Sequence, residues 1–174
     1  MLVRRWERPV GGILSRLGST QSGNKSSPDI EDLTQDVFLR VLSACERYHN
    51  GCAFSTWIYR IALNVSRDAF RRNRTQRKLL GNHKQSTTVS RCELPESIVQ
   101  KQELEQNISQ ALDELSPKLR EPLVLKHFGE LTFTEVAEIT GLPLGTVKSR
   151  VQAGLLQLQS ELKRRGIDEQ ELES

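Results

Sequence analysis

Apolar residues recur at helical spacing along most of this chain, and the pattern is sharpest over residues 131–158. Thr132 with Glu135 forms a capping box, and Leu131 with Val136 a hydrophobic staple. Together they predict a short helix over 133–140, which Gly141 stops in the left-handed conformation. Pro143 then stands near the start of a second helix, where its missing N–H does no harm. Val147, Val151, Leu155, Leu158 and Leu162 make the buried stripe of that helix. Thr146, Lys148, Ser149, Arg150, Gln152 and Ala153 are left facing outward near its N-terminus. Small or branched residues at Ala137, Gly141 and Val147 let the two helices meet closely, which is the helix-turn-helix pattern. Short polar and basic side chains in that place reach phosphates and base edges. A helical hairpin with a solvated face is the plainer alternative, but capping box, turn and basic face coincide here.

The remaining chain also reads as helices. Residues 2–17 carry apolar side chains at roughly helical spacing, although Pro9, Gly11 and Gly12 predict a kinked or interrupted helix. Small polar residues over 18–27 predict a loop. Ser27 and Pro28 read as N-cap and first-turn proline of the next helix, with Asp29, Glu31 and Asp32 at the positive end of its dipole. Its expected buried side is Ile30, Leu33, Val37, Phe38, Val41 and Leu42. Asp32, Gln35, Asp36 and Leu39 share another side, an acidic and partly apolar face suited to docking a partner. Asn50-Gly51 marks a turn, and Ser55 or Thr56 is expected to cap a helix whose core stripe is Trp57, Ile58, Ile61, Ala62, Val65 and Ala69. Opposite that stripe run Arg60, Asn64, Arg67 and Arg71, continued by Arg72, Arg74, Arg77 and Lys78. So many arginines on one face read as a track for phosphates. With the aromatic-flanked loop over 48–54 just before it, the track suits melted DNA, from which a base can leave the stack.

Residues 79–94 lack any period and read as a linker. Helical spacing resumes at Ile98, Leu104, Ile108, Leu112 and Leu115, and Ser116-Pro117 restarts the chain. Leu119, Leu123, Val124, Leu125 and Phe128 follow, with Pro122 expected to kink this helix. An acidic tail closes the sequence.

Composition narrows the picture. With 174 residues, 36% hydrophobic and 5% aromatic, two small helical domains with thin cores fit better than one large core. The net charge of +3 says less than its distribution, because the 67–78 stretch is strongly basic while 29–36 and the tail are acidic. One face for nucleic acid and another for a basic protein surface are implied. Three cysteines without framework spacing point to a reducing compartment. Cys45, His49 and Cys52 have no evident fourth ligand, so no metal site is expected, and no cofactor. A thiol enzyme built on Cys52 and His49 would lack a third group, and there is no phosphate-binding glycine loop, so no catalytic residue is assigned. No apolar run spans a membrane and no signal-peptide core is present, so a cytoplasmic protein is expected.

Three segments in order, IEDLTQDVFLRVL, AFSTWIYRIALNVSRDAFRR and LDELSPKLREPLVLKHFGELTFTEVAEITGLPLGTVKSRVQAGLLQL, resemble regions 2.2, 2.3 with 2.4, and 4 of the sigma-70 family, within its extracytoplasmic-function (ECF) group. The resemblance covers nearly the whole chain. It implies an all-α fold of two small helical domains: a region 2 bundle over 1–76 and a region 4 helix-turn-helix over 96–167, joined by a flexible linker over 77–95, with an acidic tail over 168–174. It implies a transcription initiation factor without enzymatic activity, whose partners are bacterial core RNA polymerase (the β′ clamp helices and the β flap), promoter DNA and an anti-sigma factor. Asp32, Gln35, Asp36 and Leu39 would dock on polymerase. The loop residues Tyr48, Asn50 and Phe54, with Asn64, would capture a flipped base of the −10 element, while Arg60, Arg67 and Arg71 hold the strand. Thr146, Lys148, Ser149, Arg150 and Gln152 would read the −35 element. Relatives usually carry a further amphipathic helix before the equivalent of Leu2, which leaves open a truncated or a misassigned start, and Ala153-Gly154 stands where many have a bulkier or basic residue followed by alanine. The rival is a regulator that binds duplex DNA without polymerase, which would need neither the acidic face nor the arginine track.

Overall fold

Apolar stripes decide which helices pair. In the computed structural model, which describes residues 2–18, 29–48, 51–80 and 96–167, every regular element is a helix. In order they are α1 (Leu2–Arg16), α2 (Ile30–Ala44), a single 3-10 turn (Cys45–Arg47), α3 (Phe54–Leu80), α4 (Glu96–Glu114), α5 (Pro117–His127), α6 (Phe133–Thr140) and α7 (Leu144–Arg164). Among the described residues, no helix is long and apolar enough to cross a membrane.

Helices α1, α2 and α3 pack on one another. Val10, Ile13 and Leu14 of α1 meet Leu33, Val37 and Val41 of α2 and Ile58, Ala62 and Val65 of α3 in one buried cluster. Helix α1 is continuous across Pro9, so the interruption that Pro9 could have caused does not occur. Pro9 lies on the exposed face, and so does Arg5, whose carbonyl the proline leaves without an intrahelical donor and open to water. Gly11 faces α2, where a Cβ would stand in ordinary van der Waals contact with Ile30 and Thr34 at 3.7 Å.

Some sequence expectations shift. The first cap of α2 is Asp29, which makes no side-chain cap bond; Ser27 and Pro28 lie outside the described residues. Helix α3 starts at Phe54, so neither Ser55 nor Thr56 is its cap; Thr56 is buried in the first turn. Leu42 is 63% exposed rather than buried. It falls beside the first turns of α1, and among the described residues no third helix covers it. Residues 77–80, expected as linker, continue α3, while 81–95 and the acidic tail lie outside the described residues.

The second group is α4 to α7. Ser116 is the N-cap of α5 and Pro117 its first residue, as expected, and the helix runs on through buried Pro122 without interruption. The missing Pro122 N–H leaves the carbonyl of Lys118 without its intrahelical donor, and Lys118 is exposed to water. Leu112, Leu115, Leu123, Val124, Val136, Ile139, Val147 and Val151 interlock as the core. Helix α7 crosses α5 at Gly154, where a Cβ would stand 3.3 Å from the carbonyl oxygen of Leu119 and 3.5 Å from Leu123. Ala153, next to it, is exposed. The two groups also touch each other: α6 lies on α3, and α1 meets α4 and α5.

Replacement of Gly154 by valine should therefore lower stability by about 1–3 kcal/mol, because the branched Cβ drives α7 off the α5 backbone. Ala153→Val, on the solvent side, should stay within about 0.5 kcal/mol. Thermal or urea unfolding of the two variants checks the contrast; equal losses would remove the close crossing as the cause.

Candidate nucleic-acid interface

The helix-turn-helix is built as its residues dictate. Thr132 accepts at its hydroxyl oxygen from the Glu135 backbone N–H at 3.2 Å, and the Thr132 N–H donates back to the Glu135 carboxylate at 2.8 Å. Gly141 ends α6 with φ 71°, and Pro143 precedes α7. Leu131 and Val136 are both buried, as a staple requires. Of the outward residues, Lys148, Ser149 and Gln152 are exposed, and Thr146 and Arg150 half-buried. Ser149 spends its hydroxyl on the Thr146 carbonyl at 3.0 Å. Val147 and Val151 are buried on the opposite side, so the helix presents its polar face as a unit.

On α2, Asp32, Gln35 and Leu39 lie exposed together, with Leu39 at 65%. Beside them α1 and α2 form a groove of about 550 Å³ lined by Val3, Glu7, Phe38, Leu39 and Leu42 among others. This explains why Leu42 points out: it extends the apolar strip started by Leu39. Asp36 is not free. Arg40 donates to it through Nε at 3.0 Å and Nη2 at 3.1 Å, and to Asp68 of α3 at 3.2 Å. Asp36, more than any other neighbour, raises the Arg40 pKa.

On α3 the arginine stripe lies as expected, but its members are engaged differently. Arg71 is 80% exposed and pairs with Asp68 of its own helix at 2.7 Å. Asn64 is exposed. Arg67 grips Glu121 of α5 with both Nε (3.1 Å) and Nη2 (2.6 Å), a bidentate fork, and this bond pushes its pKa further up against the effect of burial. Arg60 donates to the Glu138 carbonyl of α6 at 3.2 Å. The loop before α3 rests on an aromatic cluster. Tyr48 packs on Trp57 at 4.9 Å and Phe54 at 5.7 Å, Phe54 packs on Trp6 at 5.4 Å, and the Tyr48 hydroxyl donates to the Cys52 carbonyl at 3.0 Å. Tyr48 and Phe54 thus brace the loop; Asn50 lies outside the described residues.

Residues 2–76 match Sigma-70 region 2, and residues 105–158 match Sigma-70, region 4. The chain is 34% identical to the ECF RNA polymerase sigma factor SigW of Bacillus subtilis, over 78% of this chain and 76% of that protein. The chain belongs to the sigma-70 family, in its ECF group. It is 29% identical to the ECF RNA polymerase sigma-E factor of Haemophilus influenzae, over 87% of this chain and 80% of that one. Two solved structures share the fold at 21% identity. The sigma factor RpoE of Bartonella quintana, with the anti-sigma factor NepR, has a TM-score of 0.70 and covers 93% of this chain and 96% of its own. CnrH, with the cytosolic domain of CnrY, has a TM-score of 0.66 and covers 94% and 86%. The protein is a polymerase-binding transcription initiation sigma factor.

Three features of this sigma factor were not foreseen from its sequence. Glu121 and Glu138 read as ordinary helix-surface carboxyl residues, and nothing local marks them as neighbours of α3. Arg120 is buried although it sits among polar residues; the period of α5 gives a faint signal, because Arg120 precedes Leu123 and Val124 on the same side. Glu135, assigned only to the capping box, also accepts from the Thr56 hydroxyl of α3 at 3.2 Å.

Glu135 carries a pH dependence. The Thr132 backbone N–H first, then its hydroxyl, hold the carboxyl below its ordinary value of 4.5, with Thr56 and Lys126 adding and burial opposing. A depressed carboxyl stabilises the fold above its unfolded value and loses that contribution as pH falls through the folded value. The stability advantage of the native protein over Glu135→Gln should thus be full at neutral pH and shrink below the ordinary value. Urea unfolding of both proteins across that range checks it; a difference independent of pH would overturn the assignment.

Proposed function

We propose that this sigma factor engages promoter and polymerase through three separate surfaces. The domains proposed are 1–76 for polymerase docking and the −10 element and 96–167 for the −35 element, tethered by 77–95. Asp32, Gln35, Asp36 and Leu39, with the apolar groove shared by α1 and α2, dock on the β′ clamp helices of core polymerase. The exposed acidic and apolar side chains at that groove support this, because they suit a basic helical partner. Tyr48, Asn50, Phe54, Arg60, Asn64, Arg67 and Arg71 hold the melted −10 strand. Thr146, Lys148, Ser149, Arg150 and Gln152 read the −35 element from the N-terminal half of α7 while the same domain meets the β flap. Melted DNA is held better than duplex, so binding shifts the equilibrium toward opening without hydrolysis. A cytoplasmic site of action and an anti-sigma partner complete the reading; the neighbours of similar fold that bind NepR and CnrY support the latter.

The observation that carries this reading is the coexistence on one chain of a groove with acidic and apolar side chains, an arginine stripe along α3 and a helix-turn-helix with a polar outer face. A stand-alone duplex-binding regulator needs only the third. Reconstitution with bacterial core polymerase on a promoter pool tests it: specific transcript starts are expected, whereas tight specific DNA binding without core and no transcription with it would favour the regulator.

Two variants sharpen the assignment. Asp32→Arg, at an exposed position, should weaken core binding about tenfold or more through like-charge repulsion while the circular dichroism spectrum stays unchanged. Unchanged core affinity would remove the docking face. Lys148→Ala should weaken promoter binding by the holoenzyme and reduce the salt slope of log K by about 1, the loss of one phosphate contact. A slope equal to that of the native protein would exclude a phosphate role for Lys148.

A further inference from the structure

The Asp68 carboxylate of α3 stands between two arginines, one from α2 and one from its own helix. Its Oδ2 accepts from Arg40 Nη1 at 3.2 Å, and its Oδ1 accepts from Arg71 Nη2 at 2.7 Å. We infer that Asp68 is a positioning residue for Arg71: it aims the Arg71 guanidinium at a strand phosphate, and Arg40 holds Asp68 in place for this. The inference rests on the strand-holding role proposed for Arg71.

Arg40 is the fixed end of this chain of charges. It engages both oxygens of Asp36 on its own helix, through Nε and Nη2, and reaches across to Asp68 with Nη1. A planar guanidinium held at three donors has little freedom to turn, and a lysine ammonium on its flexible stem would not match it. The bond to Asp36 first, and the bond to Asp68 after it, raise the Arg40 pKa against the opposing effect of burial. Val37 and Val41 of α2 and Val65 and Ala69 of α3 belong to one buried cluster, so the backbones that carry these groups are fixed as well. Arg71 is the free end. Its side chain is 80% exposed. An arginine so exposed has many rotamers, and taking a phosphate costs that freedom. The bond to Asp68 restrains it before a strand arrives. Asn64 and Arg71, seven residues apart, share one face of α3, so a restrained Arg71 keeps its register with Asn64 along a strand.

Charge and position predict opposite signs here. Asp68 is an anion beside a surface that takes a polyanion. As a charge alone it repels the strand, and its removal should tighten binding. As a positioning group it spares part of the ordering cost of Arg71, and its removal should weaken binding. Arg40 favours the second, because it takes one Asp68 oxygen and offsets part of the negative charge. Ion pairs as exposed as the one between Asp68 and Arg71 contribute little to folding, so orientation explains this pair better than stability does.

The test uses holoenzyme reconstituted from the full chain and core polymerase. Fluorescence anisotropy follows a labelled single strand copied from a promoter recovered in that reconstitution. Arg71→Ala should weaken strand binding and lower the salt slope of log K by about 0.7. Asp68→Ala should weaken binding roughly threefold to tenfold, although it makes the protein more basic. In the Arg71→Ala background the same substitution should no longer weaken binding, because Asp68 acts through Arg71. Arg40→Lys keeps the charge but cannot hold both carboxylates, and its strand affinity should fall between the native protein and Asp68→Ala. The affinity of Asp68→Ala for core should equal that of the native protein, which sets aside misfolding. Tighter strand binding by Asp68→Ala would overturn the proposal, and so would a loss that persists undiminished in the Arg71→Ala background. A matching fall in core affinity would also overturn it, by making Asp68 a support of the docking face. Two results separate the proposal from the reading beneath it. No effect of Arg71→Ala removes the strand role of that arginine and the positioning role with it. A clear loss in Arg71→Ala with native behaviour in Asp68→Ala overturns the positioning alone.

Discussion

The Arg120 guanidinium sits where three segments meet, and their arrangement depends on it. It donates to the Leu17 carbonyl at the end of α1, to the Asp113 carbonyl and carboxylate near the end of α4, and to the Leu115 carbonyl in the turn before α5. These are carbonyls that a helix end or a tight turn leaves without backbone donors. One planar, five-donor group satisfies them together, which no lysine would do. Burial lowers the Arg120 pKa and raises that of Asp113, so desolvation outweighs their mutual attraction in both groups. The pair is better understood as a device that fixes geometry than as a source of net stability. Arg120 Nε remains without a partner, in line with a group placed for shape.

Charge on this sigma factor is divided by helix face. The acidic residues of α2 look outward beside an apolar groove, and α3 turns its basic face toward α5 and α6. Arg40 links the acidic and basic helices by bridging Asp36 to Asp68, so α2 and α3 share a rigid frame. The recognition helix α7 is held separately, through its close crossing with α5 at Gly154 and the Ala111–Leu162–Ile167 cluster against α4. Its polar face is thereby left unencumbered: among the described residues neither Lys148 nor Arg150 makes an ion pair. Arg60 and Arg67 of α3 thus meet α6 and α5, while the outward face of α7 stays open.

The helix-turn-helix was readable because every determinant is local. The Thr132–Glu135 capping box, the Gly141 turn and the alternation of Val147 and Val151 with polar neighbours act over a few residues, so sequence spacing alone fixes them. The three-helix bundle followed from stripes of the same kind, with the exceptions falling where a neighbouring helix decides. Pro9 is harmless because it faces water, and Leu42 is exposed because α1 and α3 leave its side of α2 uncovered.

What the sequence by itself determined is the set of helices, their polar and apolar faces, and the family to which the pattern belongs. Tertiary structure alone decided which charges meet. Arg67 and Glu121 are far apart along the chain and carry no mutual signal, since an exposed arginine and an exposed glutamate are each ordinary on a helix surface. The same holds for Arg120, whose burial depends on carbonyls supplied by α1. Gly154 looked like a departure from the family pattern until the α5 backbone was seen against it. Local periodicity encodes what a residue faces, inward or outward; partners across a long loop are set by how completed helices pack.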